Sequence, residues 1–304
     1  MINIHADDYG YTFNTSKDIL ECMKQGKLDS ISIICNTSFF DESMNMLYKE
    51  IPHLPFVPLI SVHINLVEGF NISNTSLLSQ NRINTSSWSN ILIVSFGGLK
   101  KDLKAQLKKE IKAQIDKADE VINKCIEIAK DNNIPCRQKG LRIDSHTHTH
   151  PIPIVFDALV EVINEEHYNV EYIRNPKEPI TPFIKNIGLG FRAVNFAKNI
   201  ILNVFSHKID KYCEEHNLQK EYMWGLVMSG HMDFERIKKL YPELLEKAKK
   251  NNRDLELLFH PGLALEFEML DEMNKDNMKN FNMSNNRCIE KETVLKIDEI
   301  RKDK

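Results

Sequence analysis

Short apolar runs alternate with helix-like stretches along nearly the whole chain, and most of the runs end at a polar residue of a catalytic type. Residues 2–6 run into Asp7-Asp8-Tyr9-Gly10, and residues 59–62 into His63. Residues 141–143 lead into Asp144-Ser145-His146-Thr147-His148-Thr149-His150, and residues 255–259 into His260-Pro261-Gly262. Such β-α alternation calls for a parallel sheet joined by right-handed crossovers. In parallel α/β proteins, barrels above all, the outgoing strand ends gather chemistry from remote parts of the sequence.

The remaining segments fit that plan. A helix is expected near residues 15–25, with Thr15 and Asp18 as a capping pair and Gly26 as its stop. From Lys101 to Lys130, Leu103, Leu107, Ile111, Ile115, Ala118, Ile122, Ile126 and Ala129 recur at three- and four-residue steps, which predicts a long amphipathic helix. Residues 67–99, rich in Ser, Asn and Gly, break the rhythm and read as an insertion or lid. Residues 266–304 read as a helical, polar tail, and residues 1–304 as a single domain. About seven strands are expected, which points to an α/β fold of the irregular (β/α) barrel type, TIM-barrel-like but short of the usual eight.

Composition excludes some classes of function. The formal net charge of -3 argues against a nucleic-acid-binding surface. No apolar run approaches the roughly 20 residues that cross a bilayer. The six cysteines form no C-x-x-C pair and read as reduced thiols. The first strand starts at Met1, leaving no room for a secretory leader, so a cytoplasmic protein is expected.

At a strand end the chain turns, so Asp7 and Asp8 can both enter one pocket, one carboxylate binding a cation and the other staying free as a base. An Asx turn or a helix cap is the alternative for this pair. His63 fits either a ligand or a satisfied core histidine. His146, His148 and His150 share a side if the segment is extended, and a surface histidine tract is the other reading. One carboxylate with two imidazoles matches a mononuclear hydrolytic metal site with open positions. Asp144 can orient a ligating imidazole from behind. His260 can donate a proton near neutrality. Arg174 and Ser229-Gly230-His231 also stand at strand ends, where substrate contacts collect.

Taken together, these segments resemble the YdjC-like carbohydrate deacetylases, the family that includes chito-oligosaccharide deacetylases. His5-Ala6-Asp7-Asp8-Tyr9-Gly10 is similar to the family's N-A-D-D-F-G, and Ser61-Val62-His63-Ile64-Asn65-Leu66 to its G-x-H-x-N-L. Asp144 to His150 resembles D-S-H-x-H-x-H; Arg174-Asn175-Pro176, Ser229-Gly230-His231 and His260-Pro261-Gly262 resemble its R-x-P, S-G-H and C-H-P-G elements. Ser284 and Arg287 resemble the closing S-x-x-R. The resemblance implies an irregular barrel, often a homodimer, that hydrolyses the N-acetyl group of an amino sugar. It implies Asp7 as general base, Asp8, His63 and His146 as ligands of one divalent cation, magnesium or zinc, and His260 as the acid. His5 departs from the family's asparagine, and residues 67–99 align with no family segment. Two other readings stay open at this point: a metal-dependent phosphoesterase or cyclic amidohydrolase with more than one metal, and a non-catalytic sugar-binding relative.

Overall fold

The computed structural model of the protein describes residues 1–270 and 276–301. In chain order the elements are β1 (Ile2–Tyr9), α1 (Phe13–Lys24), β2 (Ser30–Ile33), α2 (Phe40–Glu50) and β3 (Leu59–Ile64). There follow a small hairpin of β4 (Ser79–Gln80) and β5 (Ile83–Asn84), then α3 (Trp88–Val94), α4 (Lys100–Asp131), β6 (Leu141–Ser145) and α5 (Pro153–Glu166). The second half comprises β7 (Val170–Ile173), α6 (Thr181–Lys185), α7 (Ala193–Glu215), β8 (Glu221–Trp224), α8 (Phe234–Lys250) and β9 (Asp254–Phe259). The described residues end with α9 (Asp276–Asn282), α10 (Asn286–Leu295) and α11 (Ile297–Arg301).

Seven strands form one parallel sheet in the order β7-β6-β3-β2-β1-β9-β8. The sheet curls into a half-barrel whose edges are β7 and β8. Side chains and loops bridge those edges: the Tyr172 hydroxyl donates to Glu221, and the Met223 N–H to the Lys177 carbonyl at 3.0 Å. This is the seven-stranded, barrel-like architecture expected from the alternation of elements.

The strands carry two different faces. Ile4, Ala6, Ile31, Ile33, Ile60, Val62, Ile143, Leu255, Leu257 and Phe259 belong to the main apolar core together with the helices. The alternate positions Asn3, His5, Asp7, Ser30, Ser32, His63, Asp144, Arg174 and Glu256 hydrogen-bond or pair with one another on the inner face. Side chains alternate sides along a strand, so every second residue is delivered to a polar interior. That interior, rather than an apolar plug, carries the site.

Local chemistry sets the boundaries. Helix α4 buries Leu103, Leu107, Ile111, Ile115, Ala118 and Ile122 along one stripe, as its periodicity predicts. Helix α1 starts earlier than expected: the cap is Thr12, whose extended backbone lets its hydroxyl accept the Thr15 N–H at 3.2 Å, and Thr15 lies inside the helix. Residues 67–99 hold the β4–β5 hairpin and α3 between β3 and α4. Of the tail expected to be helical over 266–304, a 3-10 turn at Glu266–Met269 precedes α9, α10 and α11, while residues 271–275 and 302–304 lie outside the described residues.

Candidate metal centre

Two backbone devices bring the paired aspartates into one pocket. The pairing of β1 with β2 shifts register between Ala6 and Tyr9, and Asp8 sits at φ 73. This kink turns Asp8 onto the same side as Asp7, which alternation alone would forbid. Gly10 completes the turn at φ 94, where a Cβ would meet the Ile34 carbonyl at 2.8 Å.

Asp8 divides its oxygens. Oδ2 accepts from Arg287 Nη1 and Nη2 at 3.3 and 3.2 Å, and Oδ1 faces His146 Nδ1 at 3.2 Å and His63 Nε2 at 3.7 Å. Burial works against the ionised Asp8 carboxyl, but the His146 hydrogen bond and the charges of His146, Arg287 and His260 hold it far below the usual carboxylate range. The His63 ring is fixed from behind by Asp144, whose Oδ1 accepts from Nδ1 at 2.6 Å, so the Nε2 lone pair points at Asp8. Glu68 performs the matching task for His146, with Nε2 and Oε2 3.1 Å apart, and Tyr11 stacks on that ring.

The ligand atoms of Asp8, His63 and His146 all lie within 4.8 Å of one another, and all three residues are buried. Two atoms bound to one ion at about 2.0–2.2 Å stand roughly 3–3.5 Å apart at tetrahedral or octahedral angles. The 3.2 and 3.7 Å separations therefore suit a shared cation. The three residues expected as ligands meet, each with the donor atom that its rear hydrogen bond leaves available.

Asp7 is beside them and differently held. Arg174 donates from Nη2 to Oδ1 at 2.9 Å and from Nη1 to Oδ2 at 3.0 Å; His5 Nε2 also lies 3.0 Å from Oδ1. Oδ2 faces His63 Nε2 at 3.8 Å, so this oxygen borders the ion site. Burial opposes ionisation, yet Arg174 above all, then His63 and His5, keep Asp7 well below the ordinary carboxylate range. Arg174 was expected to touch substrate. The structure gives it other work: it is fully buried, with Asp7, Asp144 at 3.1 Å and Glu256 at 2.7 Å around its guanidinium.

The three histidines of the 146–150 segment do not share a side. Strand β6 ends at Ser145, and Thr147 and His148 adopt left-handed backbone at φ 53 and 55. Only His146 reaches Asp8. His150 turns back onto the barrel wall, donating from Nε2 to the Arg174 carbonyl at 2.7 Å, with Nδ1 2.6 Å from the Ser145 hydroxyl. His148 is buried, and its carbonyl accepts the Trp88 Nε1–H at 3.1 Å.

His260 follows β9 on the same rim, partly exposed and edge-on to Phe281. Its backbone N–H donates to Glu290 Oε2 at 2.6 Å. Sequence reading did not give Glu68, Glu256 or Glu290 a role, nor did it place Arg287 on Asp8. Polar residues at every second strand position were the available signal for Glu256, and the closing S-x-x-R element that for Arg287 and the nearby Glu290; nothing local marks Glu68.

A parallel β/α half-barrel with a buried one-carboxylate, two-imidazole cluster at its strand ends is the class that fold and site define. The chain belongs to the YdjC-like protein family, whose match covers residues 1–127 and 140–298 and so runs through residues 67–99, for which the motifs alone offer no family counterpart. It is 29% identical over 182 residues to a carbohydrate deacetylase of Thermoanaerobacter pseudethanolicus (strain ATCC 33223 / 39E), a match that covers 58% of this chain and 62% of that protein. It is 23% identical over 213 residues to a carbohydrate deacetylase of Danio rerio, covering 68% of this chain and 56% of that one. The match thus spans about three fifths of the length of these relatives. A crystal structure from Enterococcus faecalis V583, described as a "putative cellobiose-phosphate cleavage protein", superposes with a TM-score of 0.60 at 16% identity, over 99% of this chain and 94% of that one. At that identity the likeness concerns the fold. Among the described residues, no helix is long and apolar enough to cross a membrane.

Proposed function

We propose that the protein hydrolyses the N-acetyl group of an N-acetylated amino sugar or oligosaccharide, releasing acetate, with one divalent cation held by Asp8, His63 and His146. The observation that carries this reading is the meeting of those three donors within 4.8 Å, with a spare carboxylate, Asp7, on their border. The named relatives, both carbohydrate deacetylases, support removal of an acetyl group from a carbohydrate. When bound, the cation supplies Lewis acidity, polarising a carbonyl oxygen and making a water easier to deprotonate.

The chain's residues would do the rest. Asp7 Oδ2, the oxygen nearest His63, takes the proton of the attacking water; Oδ1 stays anchored by Arg174 and His5. Asp144 and Glu68 keep the two imidazoles aimed, and Arg287 keeps Asp8 turned so that Oδ1 faces them. His260, which follows Phe259 on the strand beside β1, protonates the departing amine. Residues 67–99 border the mouth through the Trp88 contact to His148 and act as its lid. Two imidazoles favour zinc and the carboxylate with open water positions accommodates magnesium, so the cation is proposed as one of these two. A cytoplasmic homodimer is part of the same proposal.

A second cluster, His5, Asp7 and Asp144, also has its ligand atoms within 4.8 Å and would suit the multi-metal phosphoesterase or amidohydrolase reading. Arg174 already pairs with both of its carboxylates, which disfavours a second ion there. The test is an acetate-release screen over N-acetylglucosamine, its short oligomers and other N-acetylated sugars, with several divalent metals and a chelated control. Release that needs metal, at one ion per chain, is the expected result. Two or more tightly bound ions would favour the phosphoesterase class, and sugar binding with no acetate release in any metal would mean a non-catalytic relative.

A further inference from the structure

His5 lies in the polar interior directly behind Asp7, fully buried, and is not one of the three residues that converge on the ion site. Its hydrogen bonds can be assigned proton by proton. Nδ1 is 2.6 Å from the Ser30 hydroxyl, and Nε2 is 2.7 Å from the Ser32 hydroxyl and 3.0 Å from Asp7 Oδ1. A serine hydroxyl has one proton to donate. That of Ser30 goes to Asn3 Oδ1 at 2.7 Å, because the Asn3 amide nitrogen is committed to Glu256 Oε2 at 3.1 Å. Glu256 is a carboxylate acceptor there, paired with Arg174. The Ser32 proton goes to Asp144, which is also paired with Arg174 and receives the His63 N–H. Both hydroxyls are therefore acceptors toward His5, as is Asp7.

We infer that His5 is an imidazolium, donating from both ring nitrogens, and that it serves as a positioning residue for Asp7. Arg174 donates to both Asp7 oxygens, and the His5 Nε2–H adds a further donor to Oδ1 alone, so Oδ2, the less firmly held oxygen, is the one turned to the ion site. The surroundings agree in charge. The groups facing His5 are Asp7 on β1, Asp144 on β6 at 3.7 Å and Glu256 on β9 at 3.6 Å, with Arg174 after β7 the other cation among them. A neutral His5 would leave three buried carboxylates against one guanidinium. An imidazolium also has no lone pair to offer a metal, so the His5–Asp7–Asp144 cluster is a cation site already filled by the protein's own cations. No proton leaves His5 in this role; it holds Asp7 while Oδ2 exchanges protons with water.

The positioning role rests on Asp7 being the base, whereas the charge state does not, and the experiment separates the two. Histidine side-chain 15N–1H correlation spectra of the metal-free, full-length protein at pH 7.5 should show a doubly protonated His5 ring, assigned by its loss in His5→Gln. It appears in addition to that of His146, which Asp8 and Glu68 flank on its two nitrogens and whose pKa, against the pull of burial, their hydrogen bonds raise to about 10. His5→Gln keeps an amide donor but no charge; it should lower kcat by up to ~10²-fold while zinc affinity by calorimetry stays unchanged. If His5→Gln does not fold, Ser32→Ala serves, since it removes one acceptor and should keep the doubly protonated ring. A His5 ring with one bare nitrogen at pH 7.5 overturns the inference. Full kcat in folded His5→Gln removes the positioning role, and a fall in zinc affinity would make His5 part of the metal shell instead. A protein inactive on every N-acetylated sugar would still show the imidazolium.

Discussion

Arg174 meets Asp7 as a fork on a fork, two guanidinium N–H groups at 3.0 and 2.9 Å from the two carboxylate oxygens, with neither partner exposed to solvent. A point charge cannot cover both oxygens and also reach Glu256 in this way. The pair ties the end of β1 to the chain just after β7, across the interior of the half-barrel.

Removing the guanidinium strands three buried carboxylates, so Arg174→Ala should lose about 3–5 kcal/mol of stability. Arg174→Lys should recover only part of it. Urea unfolding of the two variants against the parent measures this, and a loss below 1 kcal/mol for Arg174→Ala would contradict the burial argument.

Asp7 and Asp8 are neighbours with opposite duties in the proposed reaction. Asp7→Asn should reduce acetate release by about 10²–10⁴-fold, the usual contribution of a positioned base, and leave metal binding intact. Asp8→Asn and His63→Ala should weaken metal binding itself. Calorimetric metal titration run beside the rate assay separates the two patterns; near-normal turnover by metal-loaded Asp7→Asn would reject the base assignment.

Asp144 sits behind His63, outside the Asp8–His63–His146 cluster, and sets which His63 nitrogen is available. Asp144→Asn should cost about 10–100-fold in metal affinity, with all three ligands still present. An unchanged affinity would mean that packing alone orients the ring.

Lys198, half-buried on α7, has its amine pKa lowered by burial to about 8. Burial favours the neutral form, so at pH 8 about half of Lys198 is uncharged, against under 1% for an ordinary lysine near 10.4. Amine-acylating reagents at pH 8 should label Lys198 ahead of the surface lysines, as peptide mapping would show. Labelling no faster than that of Lys211, an exposed lysine on the same helix, would contradict it.

Much of this was legible in the sequence. The alternation of elements gave the parallel sheet, the 3.6-residue stripe gave α4, and polar residues at strand ends gave Asp7, Asp8, His63, His146 and His260. The polar inner layer was harder to see. Parallel strands are usually apolar on both faces, so Asn3, His5, Ser30, Ser32 and Glu256 read as interruptions when they were one face at period two. The separation of His146 from His148 and His150 depends on left-handed backbone at Thr147 and His148, which neither residue type announces. Arg174 looked like a substrate contact because its strand-end position was visible, while its three carboxylate partners came from other strands.

The hold of Arg287 on Asp8 joins positions 279 residues apart. Glu290, one turn further along α10, clasps the backbone of His260 and stands 3.5 Å from the N–H of Met232. During synthesis the seven strands can be laid down in order while Asp8 still lacks its counter-ion. The pocket thus reaches its working charge only when α10 has docked, so a nascent or C-terminally clipped barrel would be formed in outline and chemically mute.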